Sequence, residues 1–377
     1  MFDDIRSHFP IFEHKAYINS CSYGALSLEV AASYQAYLDS RFSKGADWEE
    51  FVGKNEAVRD LCAQLIHAEP DEIAVTTSAS AGLNAVISAM QPTSTRNKVV
   101  LSDFEFPTVG QIWLAQEGRG YEVVHARQQG TTVPFSEYER LIDDRTQIVS
   151  IAHICYRNGA MNEVERIIRL AHERGAMVIL DSSQAAGAIP IDVRALNVDI
   201  LISGVLKYLL SSAGVGFLYV RKDHLKTLNP YATGWFAQED VHAMDMHHHI
   251  PAHNARRFES GTPPIPALYA AQAGLHMILE AGVGNIQSHV RELTSRFIDE
   301  IKAMGGTLMT PESPDRHGAM IAVKSTNDHK LVAALAERNV ITSCRDGNLR
   351  VSPHFYNSHA DFDALMSALK DNRSLLA

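Results

Sequence analysis

Between residues 147 and 181 the chain runs through an apolar stretch, a helical period and a second apolar stretch. That succession restricts the fold more than any other feature. Gln147–Ala152 (QIVSIA) reads as a strand. Val164, Ile167, Ile168 and Ala171 then recur at helical spacing, so they share one face of a helix. Gly175 is placed to stop that helix, and Met177–Leu180 opens a second strand that ends on Asp181. A strand, helix and strand of these lengths form a crossover unit, which requires a parallel sheet covered by helices. Such sheets hold ligands beyond the carboxyl ends of their strands. The residues after Ala152 and the side chain of Asp181 are therefore the first places to look for chemistry.

The chain has 377 residues, too many for one simple core, which points to a large domain and a smaller one. We expect the large domain at 16–260 and the small α/β domain at 261–377, with residues 1–15 packing on the small one. No apolar run approaches the roughly 20 residues of a membrane span, and the acidic start MFDDIRSHFP is unlike a signal peptide. A net charge of −10 without a basic stripe argues against nucleic acid. Cys21, Cys62, Cys155 and Cys344 form no C-x-x-C pair, so we expect neither a disulfide framework nor zinc, and a reducing, cytoplasmic location. The histidine run His247–His249 lacks the partners of a metal site, and we read 229–256 as a loop.

Three further stretches carry chemistry. Ile73–Met90 is a β-branched strand, a Ser/Thr turn and a helix of small and apolar residues, whose free N-terminal amides suit a phosphate. Lys98–Trp113 gives a strand, a Glu-Phe-Pro corner and a helix. Val178–Leu218 places Asp181 at the end of one strand and Lys207 just past the next, Ile200–Ile202. An acid and a lone lysine so placed are what pyridoxal 5'-phosphate (PLP) needs. The carboxylate keeps the pyridine nitrogen protonated, and the lysine forms the resting Schiff base and then moves protons at the substrate's α-carbon.

The string D-S-S-Q-A-x-G from Asp181, S-G-x-x-K-Y-L around Lys207, G-V-G-F-L-Y-V after it, and R-F-E-S-G-T-P from Arg257 to Pro263 resembles the class V aminotransferase family. That family includes cysteine desulfurases, kynureninase and isopenicillin N epimerase. The resemblance implies a fold-type-I PLP enzyme: a large domain with a mostly parallel seven-stranded sheet, a small C-terminal α/β domain, and a homodimer with shared active sites. It implies that Ser80 and the Ala81 amide hold the cofactor phosphate, that Phe106 lies on the ring, and that Gln184 bonds the phenolic oxygen. By the same token Thr262 reaches the partner subunit's phosphate and Arg350 clamps the substrate α-carboxylate. Asn19, Tyr23, Gly24 and Tyr156 become pocket residues, with Arg157 either a substrate-anion site or a structural salt bridge. Leu206 before the lysine and S-S-A-G after it depart from the family pattern. Cys344 lies near the desulfurase cysteine loop without its signature. The expected activity is therefore a lyase of C–S type without a catalytic cysteine, acting on an amino acid. The alternatives are an aminotransferase, an epimerase or, in another class, a non-catalytic PLP-fold binding protein.

Overall fold

The computed structural model describes residue 2 and residues 4–377. A short strand β1 (Ala16–Tyr17) precedes two helices, α1 (Leu28–Lys44) and α2 (Trp48–Ile66), separated at Gly45–Asp47, where Asp47 caps α2 through the Glu50 amide. The large sheet is then built from β2 (Ile73–Thr76), β3 (Lys98–Ser102), β4 (Glu122–Ala126), β5 (Thr146–Ala152), β6 (Met177–Asp181), β7 (Ile200–Gly204) and β8 (Gly216–Val220). Its helices are α3 (Ala79–Ser88), α4 (Pro107–Leu114), α5 (Phe135–Leu141), α6 (Val164–Glu173) and the single turn α7 (Val193–Leu196). Strand order is β2-β8-β7-β6-β5-β3-β4, parallel throughout except for β8, which runs antiparallel to both neighbours.

Successive residues of these strands feed two cores. On β6, Val178 and Leu180 join one cluster and Ile179 the other; on β8, Phe217 and Tyr219 separate from Leu218 and Val220 in the same way. The two-residue period of a strand thus delivers apolar side chains to both faces, and both are covered by helices. Helix α6 closes one face with Val164, Ile167, Ile168 and Ala171, and the chain reverses at Gly175 (φ 69). These are the elements expected from the 147–181 succession.

The C-terminal part comprises α8 (Ile265–Ala281), α9 (Val283–Ala303), β9 (Ile321–Lys324), α10 (Asp328–Glu337), β10 (Val340–Ile341), β11 (Ser343–Arg345), β12 (Asn348–Val351) and α11 (His359–Asp371). β11, β12 and β9 make an antiparallel sheet, and β1 pairs in parallel with β10. Packing divides the chain at other positions than the expected 260/261 break. Leu268, Leu275 and Ile278 of α8 belong to the large core, whereas Ala16 and Ile18 belong to the small one. Helix α9 starts on the large core with Ile286 and Val290 and ends on the small core with Leu293, Phe297 and Ile301. A helix of 21 residues is long enough to serve two cores, so sequence position alone does not mark the boundary.

Of the stretch 1–15, residues 1 and 3 lie outside the described residues. The rest packs across the seam rather than on the small domain alone. Arg6 pairs with Asp361 of α11 at 2.7 Å, while Phe9 enters the large core 4.7 Å from the Tyr356 ring.

Candidate active site

The carboxyl ends of β3, β5, β6 and β7 lie along one edge of the sheet, and the hairpin of β11 and β12 closes over them. A cavity of about 470 Å³ opens there, lined among others by Ser80, Phe106, Tyr156, Asp181, Gln184, Lys207 and Arg350. Lys207 follows β7 in a turn where Leu210 adopts a left-handed conformation (φ 57) and its amide bonds the Lys207 carbonyl at 3.2 Å. A buried leucine in that region is a strained residue held by its surroundings, a feature that concentrates at functional sites. Gly24 packs against the same turn: a Cβ there would lie 2.5 Å from the Lys207 carbonyl oxygen. Its amide donates to the Leu206 carbonyl at 2.9 Å, which fixes the 19–25 turn beside the lysine.

The Lys207 amine makes no hydrogen bond or ion pair among the described residues. Desolvation by burial lowers its pKa, an effect that the negative charge of Asp181 opposes and the Arg350 cation reinforces. A lysine with a lowered pKa is a better nucleophile toward a carbonyl and a usable base. Asp181 ends β6 with one carboxylate oxygen accepting the Ser183 amide at 2.9 Å. Phe106, 43% exposed, faces the cavity with the lysine nitrogen 5.7 Å from its ring centroid. Tyr156 meets it edge-on, with centroids 5.0 Å apart. Beneath this floor Glu105 is buried, accepting from Ser102 Oγ and the Ala152 amide, both at 2.8 Å, with its other oxygen unpartnered. Burial, helped by the Asp181 charge, pushes its pKa up to about 8.

The helix N-terminus expected to hold phosphate is present, with a different cap. Ser78, not Ser80, is the N-cap, and its hydroxyl accepts the Ala81 amide at 3.1 Å. That amide is therefore used by the helix itself, and the Ala79 and Ser80 amides are the ones left unbonded among the described residues. Gly216 of β8 makes this close approach possible, since a Cβ there would lie 2.8 Å from the Ala79 nitrogen. Ala81 and Thr262 line a neighbouring cavity of about 250 Å³ instead, and Thr77 borders both.

Arg350 is buried and holds the Tyr156 carbonyl at 2.8 Å and Ser22 Oγ at 3.2 Å. Its Nε has no partner, and no carboxylate pairs with it among the described residues. Gln184 donates from Nε2 to the Cys21 carbonyl at 3.0 Å, leaving its Oε1 buried and unpartnered. Arg350 Nε and Gln184 Oε1 are thus open polar atoms on residues of the cavity wall.

Several expected residues fall elsewhere. Tyr23 is at the surface, its hydroxyl accepting the Ala213 amide at 2.8 Å, where it fastens the turn after Lys207 rather than lining the cavity. Asn19 pairs through its backbone with Ser352. Arg157 is engaged by the Asp103 carbonyl, by Gln128 Oε1 at 3.0 Å and by Asp346 at 3.5 Å, which is the structural alternative of the two open to it. Cys344 sits 3.6 Å from His329 and outside the cavity lining. His247–His249 are exposed, and the cluster of metal-like spacing among the described residues is Asp328, His329 and Cys344. The lining also contains Cys21, Ser22, Thr77, Ser78 and Arg345, none of which stands out as a site residue in the sequence.

A lysine with a lowered pKa and an acid in one cavity bordering a helix N-terminus, with a buried arginine whose Nε is open in its wall, fits pyridoxal phosphate. The family model for aminotransferase class-V matches residues 30–365. This chain is a class V aminotransferase-family protein. It is 34% identical over 356 residues to an uncharacterized aminotransferase, YcbU, of Bacillus subtilis, covering 94% of each chain. It is 27% identical over 363 residues to kynureninase of Pseudomonas fluorescens, covering 91% of this chain and 85% of that protein. The fold is that of a cysteine desulfurase from Thermococcus onnurineus, with a TM-score of 0.87, 20% identity and coverage of 98% and 97%. The chain is thus a PLP-dependent enzyme of fold type I. Among the described residues no helix is long and apolar enough to cross a membrane.

Proposed function

We propose that this enzyme binds an α-amino acid through Arg350 and moves its α-proton with Lys207. The observation that carries this reading is the state of Arg350: a buried guanidinium with an open Nε and, among the described residues, no acid paired with it. Such a group is costly unless a ligand supplies the anion, and the planar fork suits a carboxylate. Lys207, kept poorly solvated, has the lowered pKa that a base at Cα requires. Asp181 would hold the proton on the ring nitrogen, the Ala79 and Ser80 amides with the Ser80 hydroxyl would take the phosphate, and Phe106 would cover the ring. Bound pyridoxal phosphate supplies the electron sink that makes the α-proton removable.

Once the α-proton is gone, the reaction we propose is a β-elimination that works without a sulfur nucleophile. Cys344 lies outside the cavity, and Cys21, which lines it, is buried in the 19–25 turn rather than on a loop free to reach substrate. A second reading, amino transfer, is favoured by the 34% identity to a protein named an aminotransferase. The purified, cofactor-loaded enzyme incubated with a panel of amino acids separates the two. A lyase releases ammonia and an oxo acid without an amino acceptor, whereas a transferase turns over only when an oxo acid is supplied. A panel in which no amino acid is consumed under either condition overturns both.

We also propose a homodimer that shares its sites. Leu28, Leu38 and Phe42 of α1, Trp48, and Tyr231, Met244, Met246 and Ile250 of the 229–256 loop leave large apolar side chains exposed. Thr262 lies outside the Lys207 cavity of its own chain, as a residue serving the partner's site would. Four free cysteines fit a reducing cytoplasm.

A further inference from the structure

Arg350 is one of two arginines that its hairpin sends to the cavity. β11 and β12 are joined by Asp346 (φ 52) and Gly347 (φ 77), a tight turn with both central residues left-handed, which sets the register of the strands. In that register Ser343 stands opposite Arg350 and Arg345 opposite Asn348. Side chains directly opposite share a face, so Arg345 and Arg350 are diagonal neighbours on one side of the hairpin, about 7–8 Å apart at the backbone. Both line the Lys207 cavity. Cys344, between them in the alternation, points to the other face and toward His329.

The two arginines differ in depth. Arg350 is buried at the inner wall, whereas Arg345 is exposed at the mouth, close enough to Tyr156 and Cys344 to act on both electrostatically. Arg345 makes no hydrogen bond or ion pair among the described residues. The acid next to it, Asp346, is taken by Arg157 at 3.5 Å. In a chain with ten more acidic than basic residues (44 against 34), this cavity is lined by Lys207, Arg345 and Arg350 against Asp181 as the one acid among the described residues. A ligand with one charge satisfies only the inner arginine and leaves the outer one repelled by it. A ligand with two negative groups neutralises both.

We infer that Arg345 reads a second negative charge, so that the preferred substrate is an α-amino acid bearing an acidic group (carboxylate, sulfinate or sulfonate) on its side chain. The inference rests on the reading that Arg350 takes the α-carboxylate. With that group held at the inner wall, the side chain extends past Phe106 and Tyr156 toward the mouth, where Arg345 stands. Because Arg345 is exposed, its attraction is screened by salt.

The test is to titrate the cofactor-loaded enzyme calorimetrically with L-glutamate, L-aspartate and L-cysteate, and with the near-isosteric amides L-glutamine and L-asparagine, following the cofactor's visible absorbance in parallel. An acidic ligand is expected to bind up to about fivefold tighter than its amide, about 1 kcal/mol for an exposed pair, with the gap narrowing in high salt. Arg345→Gln is expected to abolish the gap while leaving amide binding unchanged, and Arg345→Lys to keep part of it. Equal binding of acids and amides to the wild type overturns the inference while the amino-acid reading stands. So does an Arg345→Gln variant that weakens acids and amides by the same factor. If no amino acid binds or perturbs the cofactor, the Arg350 reading fails and takes this inference with it.

Discussion

Two aspartates stand on neighbouring strands at opposite ends of the same sheet. Asp199 precedes β7 at the amino end, and Asp181 closes β6 at the carboxyl end. Asp199 is saturated. It accepts the Val178 amide at 2.7 Å and pairs with His172 at 2.7 Å, His224 at 2.8 Å and Arg221 at 2.6 Å. Burial alone would raise its pKa, but the hydrogen bonds from His172, His224 and Val178 hold it well below the carboxylate range. Asp181 has one amide, and in the cavity it lines the Lys207 amine and Arg350 Nε have no partner among the described residues. At the amino end the Asp199 carboxylate is fully paired, with Arg221 Nε the one buried atom of the cluster left without a partner among the described residues, so removing the Asp199 charge would strand its partners. The carboxyl end is left incomplete, which costs stability and leaves charges available to a ligand.

The largest effect expected from breaking this contrast is at Lys207. Lys207→Ala should lower turnover by about a hundred- to ten-thousandfold, the share that a positioned base provides, while the urea midpoint stays level or rises. Borohydride treatment should fix the cofactor to the Lys207 peptide, and a label on another lysine removes the assignment.

Asp199→Asn should do the reverse. Removing the charge from a buried cluster should cost about 3 kcal/mol, the low end for such breaks because the histidines and Arg221 stay partly exposed. Turnover per folded molecule should hold, and a catalytic loss without a shift in urea midpoint means that the two ends are not separable as described.

Arg350→Ala should fall between them, lowering kcat/KM by roughly tenfold to somewhat more than a hundredfold. This corresponds to about 1.5–3 kcal/mol for a charge-assisted pair at about 1.4 kcal/mol per decade. The loss should vanish for the amine lacking the carboxylate, and Arg350→Lys should recover part of it. Equal losses for both compounds make Arg350 structural.

The last test concerns Glu105, under the incomplete end. Its carboxyl is held up to about 8 in the fold against 4.5 as its ordinary value. The folded state therefore keeps a proton that the unfolded chain gives up. The resulting contribution is complete below about pH 4.5 and is lost as pH rises through about 8. Thermal melts of wild type and Glu105→Gln across that window should diverge, the wild type losing ground as pH rises. Parallel curves mean that Glu105 is ionised in the folded protein.

How much of this is legible in the chain depends on how local the signal is. The βαβ unit at 147–181 is readable because burial on one helix face and on alternate strand positions leaves its period in the residues themselves. The break between α1 and α2 is readable from its polar stretch. The strand, turn and helix at 73–90 are readable, but the helix cap is not: in the run S-A-S-A-G either serine satisfies the pattern, and only the bond from Ala81 selects Ser78. The domain boundary escapes sequence reasoning because α9 is amphipathic along its whole length while the core beneath it changes. Arg345 does leave a trace, since D-G between two strands signals a tight hairpin and alternation then puts Arg345 and Arg350 on one face. The cavity over which that face closes leaves none.

The residues alone therefore determined the class of fold and the places where strands end, because backbone period and motif order are written along the chain. Which of the remaining polar groups are completed was decided only by the tertiary structure. Arg157, Arg345 and Arg350 are the same residue type in loops and strands of similar composition. One is taken up by Asp346, Gln128 and a backbone carbonyl, one at the cavity mouth has no side-chain partner among the described residues, and one is buried with its Nε open. Whether an arginine is satisfied depends on what segments nearly two hundred residues away in sequence, such as Tyr156 for Arg350, bring within about 3 Å of it. That distance is set by how the small domain's hairpin seats on the large sheet, and no local pattern encodes it.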